Sequence, residues 1–405
     1  MFASGSSFCH VGPLMPVVRR LCPWFARLER ARTFRSSSHL RILGSGSSGE
    51  HEAWQNEETS NTAELSTKMV EPVPGTMAPK AEFSHCGRLA LLPSHAQMFV
   101  KKLGIDFSKD RTIIADCCPG GFVTHALEEV GADKVVALQK LKQDVAALQD
   151  MQADHPCLQH IIHCDVFRMD PQYFESRPPF LKADDLFEQL GLQAGNWNGV
   201  IPLRVLAFLP LSTARKLLWQ QAFNIFYRTS IYRLGRVELN LIMSEQLYQK
   251  LIADVGSKDY RCFAVLWQES CHITLLHTEP KTSFLCNKET SSHLNIKKFP
   301  NMCFVRLTPR KDLFTINMEP ALVEMFCSMV YQCLALPSKK LIDKLNLWSL
   351  GRGCEIMTAA GLDPDVKSRE ISPLSYRHLF LTLIEHQDAI MVSKEMLIKS
   401  VSLQN

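Results

Sequence analysis

The sequence predicts an α/β protein, in which a doubly wound, mostly parallel sheet ends in an antiparallel hairpin and is followed by a small all-helical lobe. Three observations predict this class. Between residues 111 and 139, two apolar β-branched runs flank a glycine turn and a helical pattern. Further strand-like runs alternate with helical patterns up to about residue 307, and beyond Met318 the apolar spacing is helical only. Such alternation of strand and helix is typical of a parallel sheet covered by helices.

The opening unit, 111–139, carries the features of a nucleotide-binding scaffold. A strand over 112–115 ends in Asp116, and Pro119, Gly120 and Gly121 then break regular structure before a helix over 122–130. In such units the glycine turn lets the backbone approach a ligand, and the helix N-terminus offers free N–H groups. An acid usually ends the second strand and holds ribose hydroxyls, but here that position is Gln139. The unit therefore predicts a nucleotide fold with altered ligand groups.

The remaining elements follow in chain order from apolar periodicity. A helix over 83–103 precedes the opening unit, and residues 170–198 form a long polar insertion. Asp165 follows the third strand, at the ligand-binding edge of such a sheet, although it could also cap a turn. Ser212 or Thr213 is predicted to cap the helix after the fourth strand. The predicted strands are 160–163, 199–209, 237–242, 273–277 and 302–307; the predicted helices are 141–152, 213–226, 244–253, 262–267, 321–334, 339–347, a stretch from 355, and 376–397.

The N-terminal region differs in composition from the rest of the 405 residues. Residues 1–49 contain seven arginines, no lysine and one acid, Glu29, and apolar residues between 17 and 28 can share one helix face. This composition favours a mitochondrial presequence over residues 1–43; a disordered basic tail is the alternative. Residues 44–82 are rich in Gly, Ser, Glu and Pro, which predicts a disordered acidic linker.

Cysteine and histidine spacing predicts no metal site and no disulfide framework. None of the 14 cysteines forms a Cys-x-x-Cys pair, and many lie in apolar runs, as buried thiols in a reducing compartment do. The histidines do not cluster at ligand spacing. No apolar run approaches the roughly 18 residues of a membrane span, so no membrane partner is expected.

Two basic segments are candidates for contact with nucleic acid. Arginines alternate with tyrosines in FYRTSIYRLGR (226–236), and two cations follow Pro309. Basic residues interleaved with aromatic ones suit phosphate contacts and base stacking. The alternative is a solvated loop beside a packed tyrosine, and a structural role is equally open after Pro309. The candidate residues are Arg228, Tyr232, Arg233, Arg236, Arg310 and Lys311.

Four longer stretches resemble one family. They are IIHCDVFRMDP (161–171), TSIYRLGRVELNLIMSEQLYQKLIAD (229–254), LWQESCHITLLHTEP (266–280) and VRLTPRKDLFT (305–315). Together they resemble the rRNA adenine N6,N6-dimethyltransferases, and within them the mitochondrial transcription factor B branch, over roughly residues 85–345. The resemblance implies a Rossmann-like S-adenosylmethionine-dependent methyltransferase fold over 83–315, with a helical C-terminal domain over 316–405.

The resemblance also implies which residues would hold S-adenosylmethionine. The first family motif, acid-x-Gly-Pro-Gly-x-Gly, falls on Asp116, Cys118, Pro119, Gly120 and Gly121, with one residue lost before the last glycine. The ribose-binding acid falls on Gln139 and the acid near adenine falls on Asp165. An amide lacks the two-oxygen charged acceptor of a carboxylate, so the resemblance implies weakened or vestigial cofactor binding and no metal.

The catalytic motif of the family, Asn/Asp-Leu/Ile-Pro-Tyr/Phe, falls near Ala207, Phe208, Leu209 and Pro210. In the family an Asn oxygen and a Pro carbonyl accept the hydrogens of the adenine amine while an aromatic ring stacks on the base. Ala207 has no acceptor, and Phe208 suits the core better than a stacking role. Loss of one oriented acceptor commonly costs about 10² to 10³ in rate, so the sequence predicts little turnover.

Two functions remain open on this resemblance. The first is a transcription initiation factor of the mitochondrial matrix and nucleoid. It would act with the mitochondrial RNA polymerase and mitochondrial transcription factor A, and would hold melted promoter DNA in a basic cleft formed by 229–236 and the helical lobe. The second is an S-adenosylmethionine-dependent dimethyltransferase acting on adjacent adenosines of small-subunit mitochondrial rRNA.

Overall fold

A seven-stranded mixed sheet forms the centre of the described part of the chain. The computed structural model describes residues 89–107, 109, 112–169, 181–284, 298–314, 320–349 and 351–386. The predicted presequence (1–43) and linker (44–82), like the predicted helical residues 387–397, lie outside these ranges. The strands are β1 (Ile113–Asp116), β2 (Val135–Gln139), β3 (Leu158–His163), β4 (Leu203–Phe208), β5 (Glu238–Ser244), β6 (Cys271–Pro280) and β7 (Asn301–Pro309).

The helices cover both faces of this sheet and continue into the C-terminal lobe. They are α1 (Pro93–Leu103), α2 (Phe122–Glu129), α3 (Lys142–Met151), α4 (Ala183–Gln189), α5 (Ala214–Tyr227), α6 (Glu245–Leu251), α7 (Cys262–Ser270), α8 (Pro320–Ala335), α9 (Leu341–Trp348), α10 (Gly353–Ala359) and α11 (373–386). Within the described ranges, every helix is too short or too polar to cross a bilayer.

The strand order is β3-β2-β1-β4-β5-β7-β6. The first five strands in this order are parallel, whereas β7 pairs antiparallel with β5 and with β6. The predicted α/β class and the terminal antiparallel pair are therefore confirmed. Because β1 has β2 on one side and β4 on the other, the connections leave the sheet in opposite directions at β1 and β4. A crevice opens at the carboxyl ends of strands at such a switch point.

Two apolar clusters hold the layers together. One packs α1 and α2 on one sheet face and includes Phe99, which meets Phe304 of β7 edge-on at 5.2 Å. The other packs α5 and α7 on the opposite face and continues into the lobe, where Phe326 contacts Phe226 at 5.8 Å and Phe380 at 5.5 Å. These rings belong to one cluster, so the lobe and the sheet layer share a hydrophobic core. Burying one such ring stabilises the fold by about 1.5–3 kcal/mol.

An ion pair adds a polar connection between the lobe and the sheet layer. Arg377 of α11 donates to Glu269 of α7 at 3.0 Å and to the carbonyl of Asp312 at 2.8 Å. Both charged side chains are buried. Burial raises the pKa of Glu269 to about 7, although the charge of Arg377 acts in the opposite direction.

Local sequence signals explain most helix boundaries, with three differences from the prediction. The helix predicted over 83–103 begins only at Pro93, where proline suits the first helical position, and ends at Gly104 in the left-handed conformation. Helix α4 lies inside the predicted polar insertion; its two N-terminal acids and its buried Leu186 and Phe187 were the missed signals. The predicted cap at Thr213 makes no side-chain hydrogen bond to the helix.

Candidate functional site

The glycine turn after β1 is organised by Asp116, which the family resemblance assigns to cofactor binding. This carboxylate is fully buried and accepts from the Cys118 amide at 2.8 Å and from the Thr124 hydroxyl at 2.8 Å. The two bonds tie the turn to the first turns of α2. Burial raises the pKa of Asp116 to about 6, against an ordinary value of 3.8. The Asp116 carboxylate therefore stabilises the conformation of the turn through these buried hydrogen bonds.

The two glycines of the turn are required by backbone conformation and by packing. Gly120 has φ +83° and Gly121 has φ +71°, in the left-handed region that favours glycine. A Cβ at Gly121 would also lie 2.8 Å from the Leu148 side chain of α3. Cys118 is fully buried in the apolar cluster beneath the turn, where burial raises the pKa of its thiol well above the usual value.

Gln139, at the carboxyl end of β2, is directed toward this turn. Its amide nitrogen donates to the Cys118 carbonyl at 2.9 Å and, more weakly, to the Asp116 carbonyl at 3.4 Å. The side chain is only 2% exposed. The residue at the predicted ribose-binding position therefore holds the backbone of its own protein, and its donors are already engaged.

A cavity of about 270 Å³ lies at the carboxyl edge of the sheet, beside the turn. This volume is near the lower limit of about 300 Å³ that is usual for small-molecule pockets. Of the predicted cofactor residues, Gln139 and Asp165 line it, whereas Asp116, Cys118, Gly120 and Gly121 do not. Its lining comprises Cys117, Pro119, Leu138, Gln139, Lys140, Leu141, Asp144, Cys164, Asp165, Val166, Phe167, Ala207, Phe208, Leu209, Pro210 and Leu217.

Asp165 lies at the cavity on the β3 side and begins a short 3₁₀ turn, Val166–Arg168. One carboxylate oxygen accepts from the Phe167 amide at 3.1 Å, and the other lies 3.6 Å from the ammonium of Lys140. The cap alternative raised from the sequence is therefore realised, and the carboxylate also meets a lysine at the cavity wall.

The degenerate catalytic stretch lines the same cavity at the end of β4, but its side chains are engaged in the core. Ala207 is buried, and the ring of Phe208 stacks on Phe284 at 5.9 Å in the cluster on the α1 face. Phe284 in turn stacks on His95 at 3.9 Å. The core role anticipated for Phe208 therefore holds, and its ring is occupied within the protein.

The fit of this site to S-adenosylmethionine is incomplete. The turn, the cavity and Asp165 are in place. The charged ribose acceptor is absent at Gln139, and Ala207–Pro210 bring no side-chain acceptor to the described cavity wall. An adenine amine placed at the end of β4 would meet no side-chain oxygen there that could aim its lone pair.

Trp197 contacts three of the predicted nucleic-acid residues, although the sequence pattern did not indicate it. Its indole N–H donates to the Arg310 carbonyl at 2.8 Å, and its own carbonyl accepts from Arg236 at 2.9 Å. The guanidinium of Arg228 lies 5.4 Å from the Trp197 ring and 4.8 Å from the Phe314 ring. The 226–236 and 305–315 segments thus meet in space.

Burial corrects the prediction for two of these residues. Tyr232 is 1% exposed and lies in the core, and Arg236 is 6% exposed and donates to the carbonyls of Trp197 and Gly199. Their burial makes them structural residues rather than parts of a nucleic-acid surface. Lys311 is exposed, and the half-buried Arg233 pairs with Asp184 at 2.8 Å.

This cluster lies away from the cavity. Arg236 precedes β5, and Arg310 follows the antiparallel β7, so both lie at the amino edge of β5. The cavity lies at the opposite, carboxyl edge. A six-residue strand spans about 20 Å, and the two candidate sites lie at opposite ends of the strands, so they are separated by about one strand length.

Burial of the described cysteines agrees with the prediction of buried thiols, and packing brings together two histidines whose sequence spacing gave no sign of it. Most described cysteines are buried, and no disulfide links any of them. His125 and His155, which are far apart in sequence, approach one another and Glu128 within the described part of the chain. Sequence spacing alone could not indicate this, because packing of α2 on the turn before β3 brings them together.

The family model for ribosomal RNA adenine dimethylase matches residues 93–385, from the start of α1 into α11. The chain belongs to the ribosomal RNA adenine dimethylase family.

Within this family the chain is similar to mitochondrial members. The chain is 32% identical to the mouse mitochondrial dimethyladenosine transferase 2, over 86% of this chain and 91% of that protein. It is also 32% identical to the human protein of the same name, over 69% and 73%. A crystal structure of a Plasmodium falciparum dimethyladenosine transferase covers 73% of this chain and 98% of its own, at 13% identity and a TM-score of 0.49.

Proposed function

We propose that this family member is a mitochondrial transcription initiation factor built on a degenerate rRNA adenine dimethyltransferase scaffold. It would help the mitochondrial RNA polymerase open promoter DNA, together with mitochondrial transcription factor A in the matrix nucleoid. Residues 1–43 would direct import, residues 44–82 would form a linker, and 83–315 and 316–405 would be the methyltransferase-like and helical domains. The names of its relatives and the composition of the N-terminus support the mitochondrial assignment.

One observation carries the proposal: the cavity wall at Ala207–Pro210 has lost the side-chain acceptor that methylation of an adenine amine needs. Phe208, the remaining ring, is stacked on Phe284, and the Gln139 amide is bonded to the turn. Two of the groups that would hold cofactor and base, Phe208 and Gln139, therefore serve the protein interior, and the third, an acceptor at Ala207, is absent. A scaffold so altered can still bind a strand without modifying it.

The cluster around Trp197 supports a binding role. Aromatic contacts restrict the guanidinium of Arg228, which lowers the entropy that a phosphate contact would cost. Lys311, the residue after Arg310, is exposed. We assign Arg228, Arg310 and Lys311 to the contact with promoter DNA, with Arg233 at its margin.

The alternative function is an S-adenosylmethionine-dependent dimethyltransferase of small-subunit mitochondrial rRNA. Retention of the cavity, Asp116 and Asp165 favours it, as does the family. Cofactor binding is compatible with both functions, so it does not by itself separate them.

A run-off transcription assay tests the first proposal. The full chain is added to purified mitochondrial RNA polymerase and mitochondrial transcription factor A on two templates, a duplex promoter and the same promoter with a pre-melted start region. We expect transcription from the duplex to require the chain and transcription from the pre-melted template to proceed without it. Equal transcription from the duplex with and without the chain would contradict the proposal.

A further inference from the structure

A cluster of His125, Glu128 and His155 lies outside the cavity and outside the Trp197 cluster. His125 and Glu128 are one helical turn apart near the end of α2, and His155 lies just before β3. One potential ligand atom from each residue lies within 4.8 Å of the others. We propose that these three residues bind a divalent transition-metal ion of the zinc class.

The geometry of the cluster is close to that of a bound site. Zinc takes nitrogen and carboxylate ligands at about 2.0–2.2 Å, which places ligand atoms around one ion about 3–4 Å apart. The side chains would therefore move by less than about 1 Å to enclose an ion, within the reach of ordinary rotamer adjustment. No backbone rearrangement is needed.

Burial makes the site closed on one side and open on the other. His155 is buried and hydrogen-bonds the Glu128 carboxylate, whereas the His125 side chain is 55% exposed. The two imidazole rings meet edge to face with centroids 5.4 Å apart. An ion can enter from the His125 side, and a water molecule can complete a four-coordinate shell there.

The donor set indicates the class of metal. Two imidazole nitrogens and one carboxylate oxygen suit Zn²⁺ and its neighbours, whereas Mg²⁺ and Ca²⁺ prefer oxygen ligands throughout. Binding would displace the proton shared by His155 and Glu128 and release it to solvent.

An outer set of contacts resembles those that orient ligating histidines. A carboxylate oxygen of Glu129 lies 3.4 Å from Nε2 of His125, and Gln97 of α1 donates to Glu129 at 3.1 Å. Outer carboxylates of this kind fix the ring of a ligating histidine and raise its basicity. The chain Gln97–Glu129–His125 therefore supports the exposed ligand.

The location suggests what the ion would do. Helix α2 begins at the glycine turn and ends at this cluster, and β3 lies at the edge of the sheet. An ion held by both would tie the end of α2 to the turn that leads into β3. It would stabilise this corner of the sheet without entering the cavity at the opposite edge.

Cobalt titration of the full chain tests the proposal. The protein is stripped with a chelator, titrated with Co²⁺ while visible absorption is recorded, and then titrated with ZnCl₂ in competition. The variants are His125→Asn, Glu128→Gln and His125→Cys, with His160→Asn as control because His160 is an exposed histidine on β3. Circular dichroism checks that each variant is folded.

We expect the wild type to give the absorption of four-coordinate Co²⁺, lost on addition of zinc, and a higher Tm with zinc by mass action. His125→Asn and Glu128→Gln should weaken zinc binding more than about tenfold, since loss of an outer partner alone costs about 10- to 100-fold. His125→Cys should retain binding and add a sulfur-to-cobalt charge-transfer band. Affinity equal in His125→Asn and His160→Asn, or no cobalt spectrum in the wild type, would overturn the proposal and leave a simple ion pair.

Discussion

The side-chain amide of Gln139 donates a hydrogen bond to the backbone carbonyl of Cys118 at 2.9 Å. This bond joins the end of β2 to the glycine turn after β1, across the mouth where a ribose would lie in a nucleotide-binding sheet. The substitution of an amide for an acid therefore supplies a donor to the turn as well as removing a charged acceptor. The Gln139 side chain therefore stabilises the conformation of the turn without a ligand.

Replacement of Gln139 by Met tests this support. Met has similar length but no donor, so it leaves the carbonyls of Cys118 and Asp116 without these bonds in a buried position. We expect the free energy of unfolding, measured in urea, to fall by about 1–3 kcal/mol. The control is Gln159→Met, which removes an exposed bond to the Asp133 carbonyl and should change stability by less than about 0.5 kcal/mol. Similar losses in both variants would contradict the role assigned to Gln139.

Asp116 should make stability depend on pH. Its pKa is about 6 in the folded protein, above the ordinary value of 3.8, because burial disfavours the charged form. The folded state therefore binds more protons than the unfolded state between these values, and Asp116 lowers stability as pH rises from about 4 to 6. Asp116→Asn removes this titration. Relative to wild type, the variant should gain up to about 3 kcal/mol between pH 4 and pH 7.

The measurement is urea unfolding of wild type and Asp116→Asn at several pH values. The test is whether the difference in free energy of unfolding between the two proteins changes with pH. The size of that difference at a single pH is not used, because the amide also alters the bond with Thr124 at every pH. A difference that stays constant from pH 4 to pH 7 would show that the carboxylate is not buried as described.

The pair Glu269–Arg377 should be essential for attachment of the lobe. Arg377→Met leaves a buried carboxylate without its partner, and we expect a loss of about 3–5 kcal/mol in the free energy of unfolding. Lys340→Met is the control, since Lys340 and Asp365 are both more than half exposed and solvent screens such a pair, so it contributes little to stability. The double variant Glu269→Leu/Arg377→Met should recover much of the loss. Equal effects of Arg377→Met and Lys340→Met would contradict the assignment.

The Trp197 cluster should contribute to the salt dependence of DNA binding. Removal of one cation that binds a phosphate lowers the slope of log K against log salt by about 1. We expect this for Lys311→Gln and for Arg228→Asn, where asparagine tolerates the left-handed backbone of Arg228, φ +51°. Fluorescence anisotropy with single-stranded promoter DNA at several salt concentrations measures the slope. Lys142→Gln, at an exposed lysine by the carboxyl edge, is the matched control; an effect there alone would move the surface to the cavity side.

The sequence was sufficient for the inner strands of the sheet, because strands buried on both faces read as apolar runs between turns. Val135–Gln139 is buried throughout, and its β-branched start marks it plainly. Helix α4 was missed because its seven residues are mostly polar and only their buried face packs. Short helices depend on tertiary packing more than on local pattern.

The candidate site was harder to predict, because the type of a residue does not show which way its side chain points. The position of Gln139 follows from the motif, but its bond to Cys118 depends on the path of the turn. Tyr232 and Arg236 have the residue types of a binding surface, yet both are buried. Contact between α2 and the turn before β3 placed His125 beside His155, a pairing 30 residues apart that no local spacing encodes.

The central claim, that the cavity no longer aims an adenine amine at a methyl donor, is tested most directly by methyl transfer under single-turnover conditions. Excess full-length protein is incubated with labelled S-adenosylmethionine and a small-subunit mitochondrial rRNA hairpin carrying adjacent adenosines, and the nucleosides are separated after digestion. We predict no labelled dimethyladenosine above that obtained with heat-denatured protein. Stoichiometric transfer to the adjacent adenosines would contradict the account and establish the chain as a dimethyltransferase.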